Sequence, residues 1–341
     1  MKWLLKRVLA ACAAVLVVTV AAGALLGMRF SGDPADWAAS RGENGAWLSG
    51  AWLTGDKGAE DRAELRDRVA RGQIGELYVL AGEIGADGAV RGGYGSAAAR
   101  DFLGWAAEEL PDTAVLGWLR HRADGSSLVE DRFGEDARGR LVAAAGEVAG
   151  AGFDGVHLDV SPVSVNDPSM PRLLDAVREE IGGDAVLSVQ ALPVELIPGL
   201  RAPFFAIDRG ERYWSKGYLR RIAERADIVV IPGHASGMPV RSMYGGYMVR
   251  QVEEAVAALE QREESAGAAL RFGVPGYDPD DAEQWGEASG GEGTATAVQA
   301  VRIGLTEADR RENAGTALYL LDTADDEQWR AYLEGWVEPA G

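Results

Sequence analysis

Gly152-Phe153-Asp154-Gly155-Val156-His157-Leu158-Asp159-Val160-Ser161-Pro162-Val163 is the stretch from which the rest of the chain is read. Side chains on a strand alternate between faces, so Val156, Leu158 and Val160 point one way and His157, Asp159 and Ser161 the other. The first face suits a cover of helices. The second carries a carboxylate and an imidazole into an enclosed space, where such groups need partners or chemical work. Pro162 falls at the strand's end, where a missing ladder donor does least harm.

Working outward, short β-rich runs recur at Ala46 to Leu53, Glu76 to Ala81, Ala114 to Arg120, Gly155 to Val160, Val186 to Ala191, Ile228 to Ile231, Leu270 to Pro275 and Thr316 to Leu321. Between them, apolar residues fall at helical spacings of three and four. Examples are Leu65 and Val69; Leu141, Ala145 and Val148; Leu173, Leu174, Val177 and Ile181; Met248, Val252, Val256 and Leu259; and Trp329, Leu333 and Trp336. Strands and helices in strict alternation predict an α/β fold, a (β/α)8 TIM barrel over residues 46–341. A doubly wound open sheet is the alternative. The first β/α junction has no G-x-G-x-x-G, which leaves dinucleotide binding without support, and no cofactor is expected.

Sites in such barrels lie at the C-terminal ends of the strands and in the loops that follow. Those positions offer Trp52, Glu83, Trp118, His121, His157, Asp159, Ser161, Gln190, His234, Tyr277 with Asp278, and Asp322. Tyr94, Tyr213, Trp214 and Trp285 add aromatic faces near the rim that suit sugar rings or simple packing under loops. The chain's three histidines, His121, His157 and His234, all fall on or after barrel strands, but no H-x-H or H-E-x-x-H spacing makes them a metal site. The acidic run Asp278, Asp280, Asp281 and Glu283 lacks the EF-hand pattern and reads as a solvated loop. No metal is expected.

With the barrel drafted, Asp154-Gly155-Val156-His157-Leu158-Asp159-Val160-Ser161 resembles the D-G-x-D-x-D-x-E signature of glycoside hydrolase family 18, the chitinase-like barrels. Asp154, Gly155 and Asp159 match. His157 replaces the middle aspartate, and Ser161 stands where the family has its catalytic glutamate. The resemblance implies that Asp159 orients the acetamido group of an N-acetylated sugar, whose own oxygen attacks the anomeric carbon in this substrate-assisted class. Ser161 cannot supply the acid, because an aliphatic hydroxyl has no pKa near working pH. The family's Met-x-Tyr-Asp at the sixth strand is Ile231-Pro232-Gly233-His234 here, and its final-strand tryptophan is expected to be replaced by Asp322.

The amino terminus supplies the address. Lys2, Lys6 and Arg7 precede an apolar run from Val8 to Met28, closed by Arg29, with no acid among them. The run is long enough to cross a bilayer, and its positive flank keeps the N-terminus cytoplasmic. Residues 1–29 are therefore expected to be a cytoplasmic tip and signal-anchor, and residues 30–45 a linker to an extracytoplasmic barrel. A cleaved signal peptide, with Ala22-Gly23-Ala24 as the cleavage site and a secreted product, is the competing reading. Cys12 is the only cysteine, so no internal disulfide forms. Beyond residue 30 the chain holds 30 basic against 53 acidic residues, which disfavours nucleic acid as a partner.

Together these features point to a membrane-anchored, family 18-like barrel that is catalytically degenerate and binds glycan or cell-wall polysaccharide at His157, Asp159, Ser161, Trp52, Glu83, Trp118, Gln190, His234, Tyr277 and Asp322. Two alternatives stay open. One is an active glycosidase on N-acetylated glycans that draws its acid from Glu83, Glu195 or Asp322. The other is a structural envelope protein.

Overall fold

The computed structural model describes residues 3, 7, 21, 23–85, 87–121, 134–160, 163, 165–196, 213–260, 267–277, 290–308 and 313–339. Nine strands are found among them: β1 (Asn44–Leu48), β2 (Ile74–Ile84), β3 (Val90–Arg91), β4 (Ala114–His121), β5 (Gly155–Asp159), β6 (Val186–Gln190), β7 (Ile228–Ile231), β8 (Ala269–Pro275) and β9 (Ala314–Tyr319). All but β3 pair in parallel in the order β1, β9, β8, β7, β6, β5, β4, β2, and β1 also pairs with β2. That last pairing closes the sheet and excludes the open doubly wound alternative. β3 is a short antiparallel flap on the far end of β2, with Glu83 opposite Arg91.

Eight helices follow the barrel strands: α1 (Ala59–Gly72), α2 (Ala97–Glu109), α3 (Glu135–Gly150), α4 (Ser169–Ile181), α5 (Lys216–Ala223), α6 (Arg241–Leu259), α7 (Thr294–Glu307) and α8 (Asp326–Tyr332). The spacings that marked them are the faces they bury: Leu141, Ala145 and Val148 on α3, and Met248, Val252 and Val256 on α6, all pack toward the strands. Ser96 and Ser215 cap α2 and α5 through hydroxyls that accept from Ala99 and Tyr218 amides.

The period-two reading of β5 is realised. Val156, Leu158 and Val160 join the outer apolar layer under the helices, while His157 faces the lumen beside Tyr78 and Trp47. The lumen holds a second cluster, Trp47, Tyr78, Leu116, Trp118, Ile228, Val230, Ala317 and Leu320. Large rings fill the barrel as a packed interior rather than a pore.

At the strands' N-terminal end, Arg271 is buried and meets Glu76 through two hydrogen bonds, Nε to Oε2 at 3.0 Å and Nη2 to Oε1 at 2.6 Å. Below it, Asn44 ties the base together: its Oδ1 accepts from Trp336 Nε1 at 2.7 Å, and its Nδ2 donates to the Gln73 carbonyl at 3.1 Å.

Two strand ends differ from the sequence reading. β1 stops at Leu48 rather than Leu53, and residues Gly50–Leu53 form a 3-10 turn that carries Trp52 outward onto Phe102 of α2. β9 stops at Tyr319 rather than Leu321, with Leu321 turned into the outer layer. In both places the apolar composition continues past the strand, so composition alone overruns the boundary.

The stretch read as a linker lies against the barrel. Phe30 and Ala38 pack on the outer layer, the Ala35 amide donates to Thr306 Oγ1 at 2.9 Å, and Arg302 Nε donates to the Ala38 carbonyl at 2.7 Å. Residues 23–29 are helical, and the rest of the proposed signal-anchor lies almost wholly outside the described residues. Among the described residues no helix is long and apolar enough to cross a membrane.

Candidate functional site

The site is built at the C-terminal ends of β4 to β9, in two neighbouring groups joined by one tryptophan. In the first, β5 projects His157 and Asp159 into the lumen, and β6 brings Ser188 and Gln190 alongside. His157 Nδ1 meets Ser188 Oγ at 2.7 Å, and the imidazole stacks on the Tyr78 ring at 4.3 Å with 23° between planes. Burial pushes the His157 pKa down to about 3, so the ring is neutral at ordinary pH. Asp159 is buried and accepts a hydrogen bond from Gln190 Nε2 at 3.2 Å. Trp118 lies buried on β4, with the Arg120 guanidinium 4.9 Å from its ring centre, and Arg120 also pairs with Glu83 at 2.7 Å.

The second group comes from the loops after β7, β8 and β9. His234 stacks on Tyr319 at 4.2 Å with 12° between planes. Its pKa is lowered to about 4 by burial, against a raising influence of the Glu292 carboxylate. Glu292 is itself buried and accepts from the Ser236 amide at 2.6 Å, the Ser236 hydroxyl at 2.7 Å and the Tyr277 hydroxyl at 2.9 Å. Burial and then the Glu292 charge raise the Tyr277 pKa far beyond the usual phenol range, which keeps it a donor.

Trp47 joins the two groups. Its ring lies 5.7 Å from His157, 6.0 Å from His234, 5.3 Å from Tyr319 and 6.5 Å from Trp118. Around it, Trp47 Nε1, Trp118 Nε1, His157 Nε2, His234 Nδ1 and Gln190 Oε1 are all buried with no hydrogen-bond partner among the described residues. An unsatisfied buried polar atom costs about 1–3 kcal/mol, so these five make the packed lumen the costliest polar cluster of the barrel's upper half.

The sequence-derived residues divide clearly. His157, Asp159, Gln190 and Trp118 belong to the first group, and His234 and Tyr277 to the second, with Tyr319 and Glu292. Glu83 stands on the exposed flap side of β2, tied to Arg120. Trp52 and Asp322 pair with each other instead: Asp322 accepts from Trp52 Nε1 at 3.0 Å, from Ser49 Oγ at 2.6 Å and from the Ser49 amide at 3.3 Å. They pin the loop after β9 to the loop after β1. Ser161, Asp278 and Trp285 lie outside the described residues.

Among the other aromatics, Tyr94 donates to Glu147 on α3, and Trp214 donates to the Val163 carbonyl at 2.8 Å, both packing under loops. No group of three His, Cys, Asp or Glu among the described residues is arranged to hold a metal ion.

The residues missed from the sequence are Trp47, Tyr319, Ser188 and Glu292. Trp47 and Ser188 have the lumen-facing parity of their strands, a signal open to a period-two reading. Tyr319 ends β9 with an aromatic ring, so the final barrel strand does finish on a flat apolar face, three residues before Asp322. Glu292 lies in the run Gly290-Gly291-Glu292-Gly293, which carries no strand pattern.

No family profile matches the chain. No curated protein matches it in sequence. Solved structures do match in shape. The Bacillus cereus spore cortex-lytic enzyme SleL superposes with a TM-score of 0.57 at 13% identity, over 86% of this chain and 74% of that one. A chitinase from Chromobacterium violaceum gives 0.55 at 18% identity, covering 86% and 98%. A glycoside hydrolase family 18 N-acetylglucosaminidase from Paenibacillus barengoltzii gives 0.54 at 12%, covering 86% and 99%. The chain therefore has the closed parallel barrel of the glycoside hydrolase family 18 chitinases and of SleL.

Proposed function

We propose that the protein is a membrane-anchored, extracytoplasmic barrel that holds an N-acetylated glycan of the cell envelope in its mouth and does not hydrolyse it. The observation that carries this reading is Asp159, buried at the end of β5 and accepting from Gln190 Nε2, with His157 two residues before it on the same face of the strand. Carboxylate, amide and imidazole recognise the hydroxyl and acetamido groups of a sugar, and flat rings meet its apolar face. The chitinase-like shape of the barrel supports the ligand class. Ser161 at the position of the family's acid supports binding without turnover, since no proton of suitable acidity is supplied there. Residues 1–29 serve as the anchor and residues 46–341 as the barrel.

The test is release of reducing sugar from N-acetylglucosamine oligomers and from peptidoglycan, comparing the full-length protein with its Ser161→Glu variant. A silent native protein and an active variant support a disarmed hydrolase with its sugar site intact. Specific turnover by the native protein, lost in Asp159→Asn, overturns the reading in favour of a working glycosidase with a displaced acid.

A further inference from the structure

The eight parallel strands of the barrel carry two arginines and no lysine. Arg271 on β8 lies at the base, and Arg120 on β4 lies at the mouth. Their surroundings differ. Arg271 is enclosed: its side chain is 4% exposed, Glu76 accepts two of its hydrogen bonds, and Glu43 stands 3.8 Å away. Arg120 is held without being enclosed. Its Nη2 donates to Glu83 Oε1 at 2.7 Å, its Nε has no hydrogen-bond partner among the described residues, and its side chain keeps 16% of its surface open beside a Glu83 that is 48% open. Strand register sets this position. A shift in the β2 and β4 pairing between Leu80 and Gly82 brings Glu83 opposite Arg120, and on the other side Arg120 is opposite Asp159 of β5. Two residues earlier on β4, Trp118 is 1% exposed, with its ring centre 4.9 Å from the guanidinium carbon. The guanidinium therefore covers Trp118, and this corner of the mouth presents a planar cation in place of an aromatic face.

Resting on the glycan reading above, we infer that Arg120 selects an N-acetylated glycan that carries a carboxylate, which binds the part of the guanidinium fork that Glu83 leaves over. A guanidinium has several N–H donors in one plane, and a carboxylate is the acceptor that matches them best. A half-exposed ion pair such as Arg120 with Glu83 contributes little to stability, so its effect is to aim the cation. Charge elsewhere sharpens the argument. Beyond residue 30 the chain holds 30 basic against 53 acidic residues, a surface that repels acidic ligands in general. An acid on the glycan therefore needs a placed counter-charge, and Arg120 supplies one on the strand next to Asp159. The two residues divide the ligand's groups between them, hydroxyl and amide donors toward Asp159 and an anion toward Arg120. A neutral N-acetylglucosamine polymer satisfies the first and leaves the second unused.

Calorimetric titration of the full-length protein in detergent compares tetrasaccharides: N-acetylglucosamine alone; N-acetylglucosamine alternating with N-acetylmuramic acid, its lactyl carboxylates free; the same with those carboxylates amidated; and N-acetylglucosamine alternating with glucuronic acid. A free-acid probe should bind about ten-fold or more tighter than the neutral one, and which of the two does so tells whether the acid stands on an ether arm or on the ring. Amidation should remove any muramyl advantage. Arg120→Gln should bring the ratio of acidic to neutral affinity to about one. Arg120→Lys, which keeps the charge and loses the fork, serves where the Gln variant does not fold, and should cut the ratio to about three-fold. Equal affinity of the native protein for neutral and acidic probes, or a preference that survives Arg120→Gln, overturns the inference and leaves the glycan reading standing. Binding of none of the probes overturns the glycan reading and the inference with it.

Discussion

The His157 imidazole lies flat on the Tyr78 ring, 4.3 Å away, in the centre of the barrel. The contact places a titratable ring where water does not solvate its cation. Burial lowers the folded-state pKa to about 3, and His234 across the mouth falls to about 4. The unfolded chain takes up these protons below about pH 6.5. Stability from these two groups is therefore complete above that pH and falls as the pH drops toward the folded values. At pH 5 the loss is about 2 kcal/mol per histidine. Urea midpoints measured at pH 7 and pH 5 report it, and a His157→Gln variant should show a smaller difference. Equal midpoints for the native protein would contradict the burial of both rings.

Asp159→Asn keeps an oxygen able to accept from Gln190 Nε2, so folding should change little. A sugar hydroxyl or amide that donates to the carboxylate loses a charge-assisted bond, worth about 1.5–3 kcal/mol, or roughly ten-fold to a hundred-fold in Kd. Calorimetric titration with an N-acetylglucosamine oligomer measures it. Unchanged affinity would remove Asp159 from the ligand site.

Asp322 serves the scaffold. Asp322→Ala leaves the Ser49 hydroxyl and Trp52 Nε1 without their acceptor, and a loss of about 2–3 kcal/mol is expected. Glycan affinity should stay within about two-fold, because the pair lies on the outer side of the strands. A variant of native stability with lost binding would reverse that assignment.

The base of the barrel holds the costliest electrostatics. Removing Glu76 leaves the nearly fully buried Arg271 guanidinium to the Leu270 carbonyl and to the more distant Glu43 carboxylate at 3.8 Å, and about 3 kcal/mol of stability should go with it. The double change Glu76→Leu with Arg271→Met removes both charges and should recover most of that loss. Denaturant unfolding of the two single variants and the double variant gives the coupling directly.

The barrel was legible because its strands carry contrasting faces. Val156 and Leu158 are apolar where helices cover them, and His157 and Asp159 are polar where they do not. Other residues were hidden by how strands end. Trp52, Leu53, Leu320 and Leu321 prolong apolar runs beyond β1 and β9, which drew attention to Trp52 and Asp322 and away from Trp47 and Tyr319. Glu292 gave no local sign, since its function depends on Ser236 and Tyr277, which the fold brings to it. The polar half of the mouth was therefore readable from parity, and the aromatic and loop half required the folded chain.

The double pairing of β1 has a consequence for how the molecule is made. β1 bonds to β2 within a few dozen residues, but its other edge waits for β9, and Asn44 waits for Trp336. During synthesis the first strand therefore presents an unpaired edge until almost the whole chain has emerged. Such an edge invites pairing with a neighbouring chain, and closing it over so long a loop is slow. The chain would thus fold last at the point nearest its own beginning, where a chaperone has the most to protect.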